Sequence, residues 1–555
     1  MRISKILIAG AIAFALVACG DKDAGGEAPK SAASAKAAKV SSASPLDADF
    51  RLKGGEEVDI ASLLAMMPDE ANPTYDSVAF DKKIGATVVS NLRFADDDGG
   101  EGILIKRAEF YGVDLDAIAR INDAADAGAD APFETVFQKV RLLDVSAEGV
   151  EEKEGAMTIG GIEFDKLAIR QGGPDSDGQG NEAARFFNAV SLAGLYFKDI
   201  SFSVEEGEGA SVAMVAPDLR FVGMADGKLG AIIANDLDYQ VSQSDEALAS
   251  LGQAFGPQGA MLMNGPLKQL LALSDQRTTI AALAWRDIDF SGLLSWGLKG
   301  EAPPMTERNL IDLGTMKATG METFIEGRRL ATIEEATISA AEFTWLVPSK
   351  IRTDSKGGVY DFTAYVPETE EAVVEILKRH GLDKVKGGGY AEWNWNADSG
   401  VGALEYVINA DSVANFSMGL GLSGLKLDEA AEAMDNGEDN PLAVLGAFDN
   451  FSMKLEDKKA LDAIFDLSAL QMGGSGEDLR QSAPAMIRLS GMQMAQINPR
   501  VSDYVEAVAN FVAKGGTLEI SANPDEPVSF ADLESGGVTP QTLPDVLDLK
   551  VTHTK

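Results

Sequence analysis

Met157–Ile169 reads MTIGGIEFDKLAI. Ile159, Ile162, Phe164, Leu167 and Ile169 are separated by small or charged residues. Apolar and polar side chains that trade places this often mark a half-buried β-strand. Similar runs lie on both sides: Thr87–Phe94, Ile103–Phe110, Leu195–Val204, Ala210–Val222, Leu229–Val241 and Thr279–Phe290. Further along come Leu330–Leu346, Val359–Val366, Tyr390–Asn396 and Ala403–Asn409. Gly, Asp and Asn clusters separate them at Asp96–Gly102, Gly172–Gly180, Glu205–Gly209, Asp354–Gly358 and Ala397–Gly402, and read as turns. The pattern predicts long antiparallel strands joined by hairpins, with one face solvated because its polar positions are often charged.

Helical patches interrupt the strands. Glu56–Met67 carries Val58, Ile60, Leu63, Leu64 and Met67 at helical spacing, and Pro68 stops it. Asp114–Ala125, Asp245–Phe255 and Leu267–Ser274 are similar. Thr369–His380 is acidic at its start and ends on Lys378, Arg379 and His380 before Gly381, a polarity that suits the helix dipole. The last quarter turns helical at Lys458–Leu470, Glu477–Met494 and Val501–Lys514, then returns to strands at Gly516–Ala522 and Leu549–Thr554. The fold class is therefore α+β and β-rich: long antiparallel strands in curved sheets, interspersed helices and a helical C-terminal region. A weak echo relates Ile84–Phe110 to Leu313–Ile338, so a duplicated unit is one expectation. The chain is expected to divide near Gly300–Pro304, giving β-rich domains at 46–300 and 301–555.

The first 45 residues differ from all of this. Arg2 and Lys5 precede an unbroken apolar run, Ile6–Ala18, about 13 residues long and too short for the ~20 that a bilayer-spanning helix needs. It ends in Leu16-Val17-Ala18-Cys19, followed by Gly20, and Cys19 is the only cysteine of the chain. This tetrapeptide resembles the lipobox of bacterial lipoproteins. The resemblance implies that 1–18 is a signal peptide and that Cys19 carries lipid. It implies an effectively permanent anchor, because several acyl chains are buried at ~0.8 kcal/mol per CH₂. Gly20, rather than Asp, after the cysteine implies the outer membrane in preference to the inner. Residues 19–45 lack aromatics, are rich in Ala, Ser, Gly and Lys, and read as a flexible tether. No later run suggests a transmembrane helix.

The chain has 48 Lys+Arg against 87 Asp+Glu, a net charge of −39. Such a surface repels nucleic acid and anionic head groups, so no nucleic-acid partner is expected. The catalytic inventory is poor. The two histidines are His380, at a helix end, and His553, near the C-terminus; both read as surface or capping groups, and no HExxH or GxSxG lies beside either. Gly419, Gly421 and Gly424 spell GxGxxG, but inside an alternating run and not between a strand and a helix, so close packing is the better reading. No cofactor is expected. Among the acidic loops, Asp96–Asp98 and Asp435–Asn440 read as hairpin turns. Asp175 and Asp177 come nearest to a Ca²⁺ loop, although Gly178 falls too early for EF-hand spacing. Carboxylate pairs for a hydrolase could be drawn among 87 acids, and nothing selects one. Trp393 and Trp395 share a strand face, as a core stripe or as a stacking platform. Met472, Met486, Met492 and Met494 mark the C-terminal helices as adaptable apolar surfaces, and Met261 and Met263 flank a glycine-rich turn.

The body is similar in texture, without a diagnostic motif, to uncharacterised periplasmic β-rich proteins of Gram-negative bacteria, some related in style to AsmA-like lipid-transfer proteins. The expected function is a non-enzymatic structural, assembly or scaffold role for a membrane-anchored lipoprotein whose body faces the periplasm. The alternative is a carrier that holds lipid or another apolar ligand between sheet and C-terminal helices.

Overall fold

The computed structural model describes residues 55–65, 73–95, 102–124, 128, 130–148, 156–173, 181–206, 210–242, 275–367, 369–436, 444–496, 498–534, 538–539 and 541–555. Cys19, the tether, Asp96–Asp98, Asp175, Asp177, Met261, Met263 and the helices expected at Asp245–Phe255 and Leu267–Ser274 lie outside these residues. The chain divides into two compact units, Met1–Ala302 and Pro303–Lys555.

The first unit is an antiparallel meander: β1 (Ser77–Asp81), β2 (Ala86–Ala95), β3 (Gly102–Val113), β4 (Phe133–Glu148), β5 (Ala156–Arg170), β6 (Val190–Glu206), β7 (Ala210–Ala225), β8 (Lys228–Ser242) and β9 (Asp275–Asp289). Each strand pairs with the next. α1 (Ile60–Ala65) and α2 (Leu115–Asp123) bury Ile60, Leu63, Leu64, Ile118 and Ile121 in the core of this sheet. The Asp114 carboxylate caps α2 by accepting from the Ala117 amide at 2.8 Å. α3 (Glu182–Ala189), capped by Asn181, and α4 (Ser291–Lys299), closed by left-handed Gly300, were not expected from the sequence.

Two lines of irregularity cross this sheet. Along the first, the ladder skips Asn91, Lys106, Asp144, Gly160, Asp199, Pro217, Asp236 and Ala281 on successive strands β2–β9. Asn91, Asp144, Asp199 and Asp236, one on every second strand, have positive φ. Along the second line it skips Gly112, Gln138, Lys166, Ala193, Gly223, Gly230 and Asp287. Here Gly112, Lys166, Gly223 and Asp287, on the alternate strands, have positive φ. The register on either side is unchanged, because both partners carry the extra residue, like a β-bulge shared by two strands.

These creases reset the alternation. On β5 the residues packed in the core are Ile159, Ile162, Phe164 and Leu167; on β6 they are Leu192, Leu195, Phe197 and Ile200; on β4 they are Phe137, Val140, Leu142 and Val145. The spacing is three, two, three, so strict period two holds only between the creases. Asn and Asp suit the left-handed position because their short side chains tolerate it. Pro217 sits in mid-strand without cost to the ladder, because no amide donor is called for at a crease.

The second unit contains β10 (Thr315–Ile325), β11 (Arg328–Thr344), β12 (Val347–Tyr360), α5 (Glu371–Arg379), β13 (Val385–Asn396), β14 (Val401–Ala410), β15 (Ala414–Ser423), α6 (Leu427–Asp435) and β16 (Ala447–Asp457). Then follow α7 (Ala460–Met472), α8 (Gly476–Ala495), α9 (Arg500–Lys514), β17 (Gly516–Ala522), β18 (Val528–Ser529), α10 (Phe530–Glu534), α11 (Leu543–Val546) and β19 (Lys550–Thr554). β10 to β17 pair antiparallel in order, and β19 joins the far side of β17. The architecture is β-rich with helices, as the alternation implied, and the C-terminal part is helical.

Three expectations are corrected in this unit. Asp354–Gly358 is not a turn but lies inside β12, where Gly357 takes positive φ and the chain runs on. Val359–Val366 is not one strand: β12 stops at Tyr360, and Asp361 caps a 3-10 turn at Phe362–Tyr365 by accepting from the Thr363 amide at 2.9 Å. Asp435 ends α6 instead of sitting in a hairpin turn.

Candidate functional site

The polar face of the first sheet is the most elaborate chemistry in the described residues. Between the creases, Glu109, Arg141, Glu163, Tyr196 and Arg220 stand opposite one another on β3 to β7. Arg107 Nε donates to Glu109 Oε1 at 2.6 Å, and Tyr111 Oη donates to Glu109 Oε2 at 2.6 Å. Arg141 Nε donates to Glu163 Oε1 at 2.8 Å, and its Nη1 lies 3.8 Å from Glu109 Oε2. Arg220 grips Asp218, which also accepts from Asn235 Nδ2 at 2.7 Å. The Glu109 and Glu163 side chains are only 5% and 8% exposed. Burial first, then the bond to Glu109, holds the Tyr111 hydroxyl well above the usual tyrosine range. At Glu109 and Glu163 the expected solvated face is closed, while Arg107, 43% exposed, still meets solvent. Along Glu109, Arg141 and Glu163 the charges alternate in sign and offset one another at low exposure. The row's hydrogen bonds and ion pairs tie β3, β4 and β5 to one another.

The second unit repeats the vocabulary in the open. Arg352 on β12 donates to Asp354 at 3.1 Å, pairs with Glu392 on β13, and lies with its Cζ 4.6 Å above the Tyr390 ring. Tyr390 Oη donates to Glu405 at 2.6 Å. Hydrogen bonds from Asn394 and then Arg352 hold the Glu392 carboxyl below the usual range.

Trp393 and Trp395 belong to the core. Trp395 packs with Ala397 and Leu427, and Trp345, Trp393, Met305, Val347 and Leu425 close around them. Trp393 Nε1 donates to the Pro348 carbonyl at 2.9 Å and Trp395 Nε1 to the Leu425 carbonyl at 3.0 Å. Both polar edges are used internally and Trp395 is 9% exposed, in keeping with the core stripe.

The GxGxxG stretch lies in β15 and the turn after it, with antiparallel neighbours on both sides. A methyl group at Gly421 would collide with the Asn450 side chain, and one at Gly424 with the Leu445 carbonyl. The glycines serve close packing, as expected. His380 closes α5, its amide bonded to the Ile376 carbonyl, and its Nε2 lies 2.8 Å from Asp466 Oδ2 on α7. His553 donates from Nε2 to the Gly515 carbonyl at 2.8 Å. The two histidines thus sit apart, each tied to structure. Among the described residues no group of three His, Cys, Asp or Glu is placed to hold a metal. A cleft of about 480 Å³ beside α5 is lined by Arg328, Thr363, Glu371, Val374, Glu375 and Lys378, a mixed-charge lining that offers little to an acyl chain.

The C-terminal helices show what the strands do not: large apolar side chains in solvent. On α7, Ile464 and Leu470 are exposed and Met472 is 70% exposed; on α8, Met486 and Met492 are exposed and Leu489 is 70% exposed. The opposite side of α8 packs on α9, where Gly491 lies so close to Val505 that a Cβ would clash, and Arg488 forms a paired bridge to Glu506 at 2.7 and 2.9 Å. Asp466, beside His380, holds α7 against α5. Among the described residues no helix is long and apolar enough to cross a membrane.

A family model described only as an uncharacterized protein matches residues 407–554, from within β14 to β19 and so including all three C-terminal helices. No curated protein matches the chain.

Proposed function

We propose that this protein is a lipid-anchored lipoprotein of the bacterial cell envelope, held at the outer membrane through Cys19 with its body in the periplasm, and that it serves as a non-enzymatic scaffold. The lipobox-like Leu16–Cys19 supports the anchor. The observation that carries the scaffold role is the α7–α8 hairpin: six large apolar side chains stand in solvent on a hairpin fastened to α5 and α9 by ion pairs. An exposed apolar surface is what an assembly component offers its partners. Palmitate labelling in cells tests the anchor. Incorporation should vanish in Cys19→Ala, and labelling that survives the substitution removes the anchored reading.

The same exposed methionines favour a second reading, a carrier of lipid or another apolar ligand on these helices. Native mass spectrometry separates the two: co-purified lipid supports the carrier, a clean protein mass the scaffold. Sheet curvature is assigned to the creases. A duplicated unit gains support from positive-φ glycines that interrupt strands of both units, Gly112 and Gly223 in the first and Gly320 and Gly357 in the second.

A further inference from the structure

We infer that the apolar stripe of α8, Met486 to Met492, is the docking surface for a cationic amphipathic helix of a partner protein; this rests on the scaffold reading. Met486, Leu489 and Met492 follow one another at three-residue steps and so form one stripe on α8, directed away from α9. Ile464 and Met472 are exposed on α7, whose two aspartates, Asp462 and Asp466, face other partners, Arg480 and His380. A stripe at this spacing with flexible thioethers fits the apolar face of another helix.

Charge chooses among the three occupants that such a face could have. A bilayer rich in anionic lipid is met through Lys and Arg on the polar side of an interfacial helix. Here Arg480 and Arg488 are already engaged by Asp462 and Glu506, and the chain as a whole carries −39. A second copy would bring the same −39 against it. A partner helix with Lys or Arg beside its apolar stripe is drawn in by that field and buries the stripe on contact.

The test uses the full chain carrying Cys19→Ala, so that no detergent is needed, and a labelled ~18-residue Leu/Lys peptide with leucines at helical spacing, long enough to span about 27 Å. A peptide of identical composition with scattered leucines is the control for charge alone. In fluorescence anisotropy at physiological salt, the amphipathic peptide should bind about tenfold more tightly or better than its isomer. Leu489→Gln with Met492→Gln should reduce it to the level of the isomer while the thermal melt is unchanged. Equal binding of the two peptides overturns the inference, as does binding indifferent to the substitutions. A concentration-dependent dimer that the same substitutions abolish, or capture of phosphatidylcholine vesicles through this face, overturns it in favour of another occupant. Palmitate labelling is a separate measurement, so failure here leaves the anchor standing, and failure there leaves this result readable.

Discussion

The two units use the same side chains to opposite ends. In the first, Arg141 lies between Glu109 and Glu163, with Tyr111 donating to the first of these carboxylates, and both carboxylates are buried. In the second, Arg352 takes Asp354 and Glu392 while stacking on Tyr390, and its side chain is 34% exposed. The apolar cores differ in the same direction. The first extends from α1 and α2 across β2 to β7, whereas the tryptophan cluster of the second is small and local. An Arg–carboxylate row is therefore not one kind of interaction. Where water is excluded, removing one member strands a charge; where water enters, it takes over most of what the partner did.

The largest expected effect follows directly. Glu163→Gln should destabilise the first unit by about 3 kcal/mol, because Arg141 keeps its buried charge and loses its closest partner. Glu392→Gln should cost the second unit about 1 kcal/mol or less. Hydrogen exchange resolved by strand gives each unit its own stability, which a single melt of a two-unit chain does not. Equal losses would break the comparison.

A smaller effect is expected at the creases. Asp199→Val, at φ 50°, should cost about 1–2 kcal/mol, because a β-branched residue is forced into left-handed backbone; Asp199→Gly should lie within about 0.5 kcal/mol of the parent. In the second unit Gly357→Ala, at φ 64° and beneath the Glu334 side chain, should cost about 1 kcal/mol. The same strand-resolved exchange checks all three.

The pH dependence sharpens the comparison further, with effects in opposite directions. The raised Tyr111 hydroxyl contributes stability present below the unfolded value, about pH 10, and lost as pH climbs through its higher folded value. Tyr111→Phe should flatten the alkaline fall in melting temperature. The lowered Glu392 carboxyl contributes stability present above about pH 4.3 and lost as pH drops through its lower folded value. Glu392→Gln should flatten the acid fall. Calorimetric melts across pH, resolved into one transition per unit, read both.

Alternation revealed the strands of Met157–Ile169 and its neighbours, and helical spacing revealed α5 and α7 to α9, since both patterns are local. Phe133–Glu148 escaped because adjacent apolar residues, Val136-Phe137 and Leu142-Leu143, break its alternation, and Ala447–Asp457 because it alternates cleanly only over the short stretch Phe451–Glu456. The creases escaped for a related reason: a search for strict period two steps over the three-two-three spacing that β4, β5 and β6 share, although that spacing is written in the sequence. Gly357 misled because a glycine with positive φ looks like a turn from sequence alone. The buried row could not be found at all. With 87 acidic residues, only the register of β3 against β4 and of β4 against β5 singles out Glu109 and Glu163. The exposed hairpin was half visible: the methionines were apparent, but which of them the fold leaves uncovered depends on where α9 packs.

The paired creases act as a register key. If β4 slid by one residue, left-handed Asp144 would face a laddered residue of β3 in place of Lys106, which the ladder skips, and the core side chains would turn outward along the whole strand. If it slid by six, crease would again meet crease, yet Ile105 would face Lys139 where it now faces Val145. Every misalignment thus fails on one count or the other, so a sheet of long, similar strands can assemble in a single way without relying on its turns.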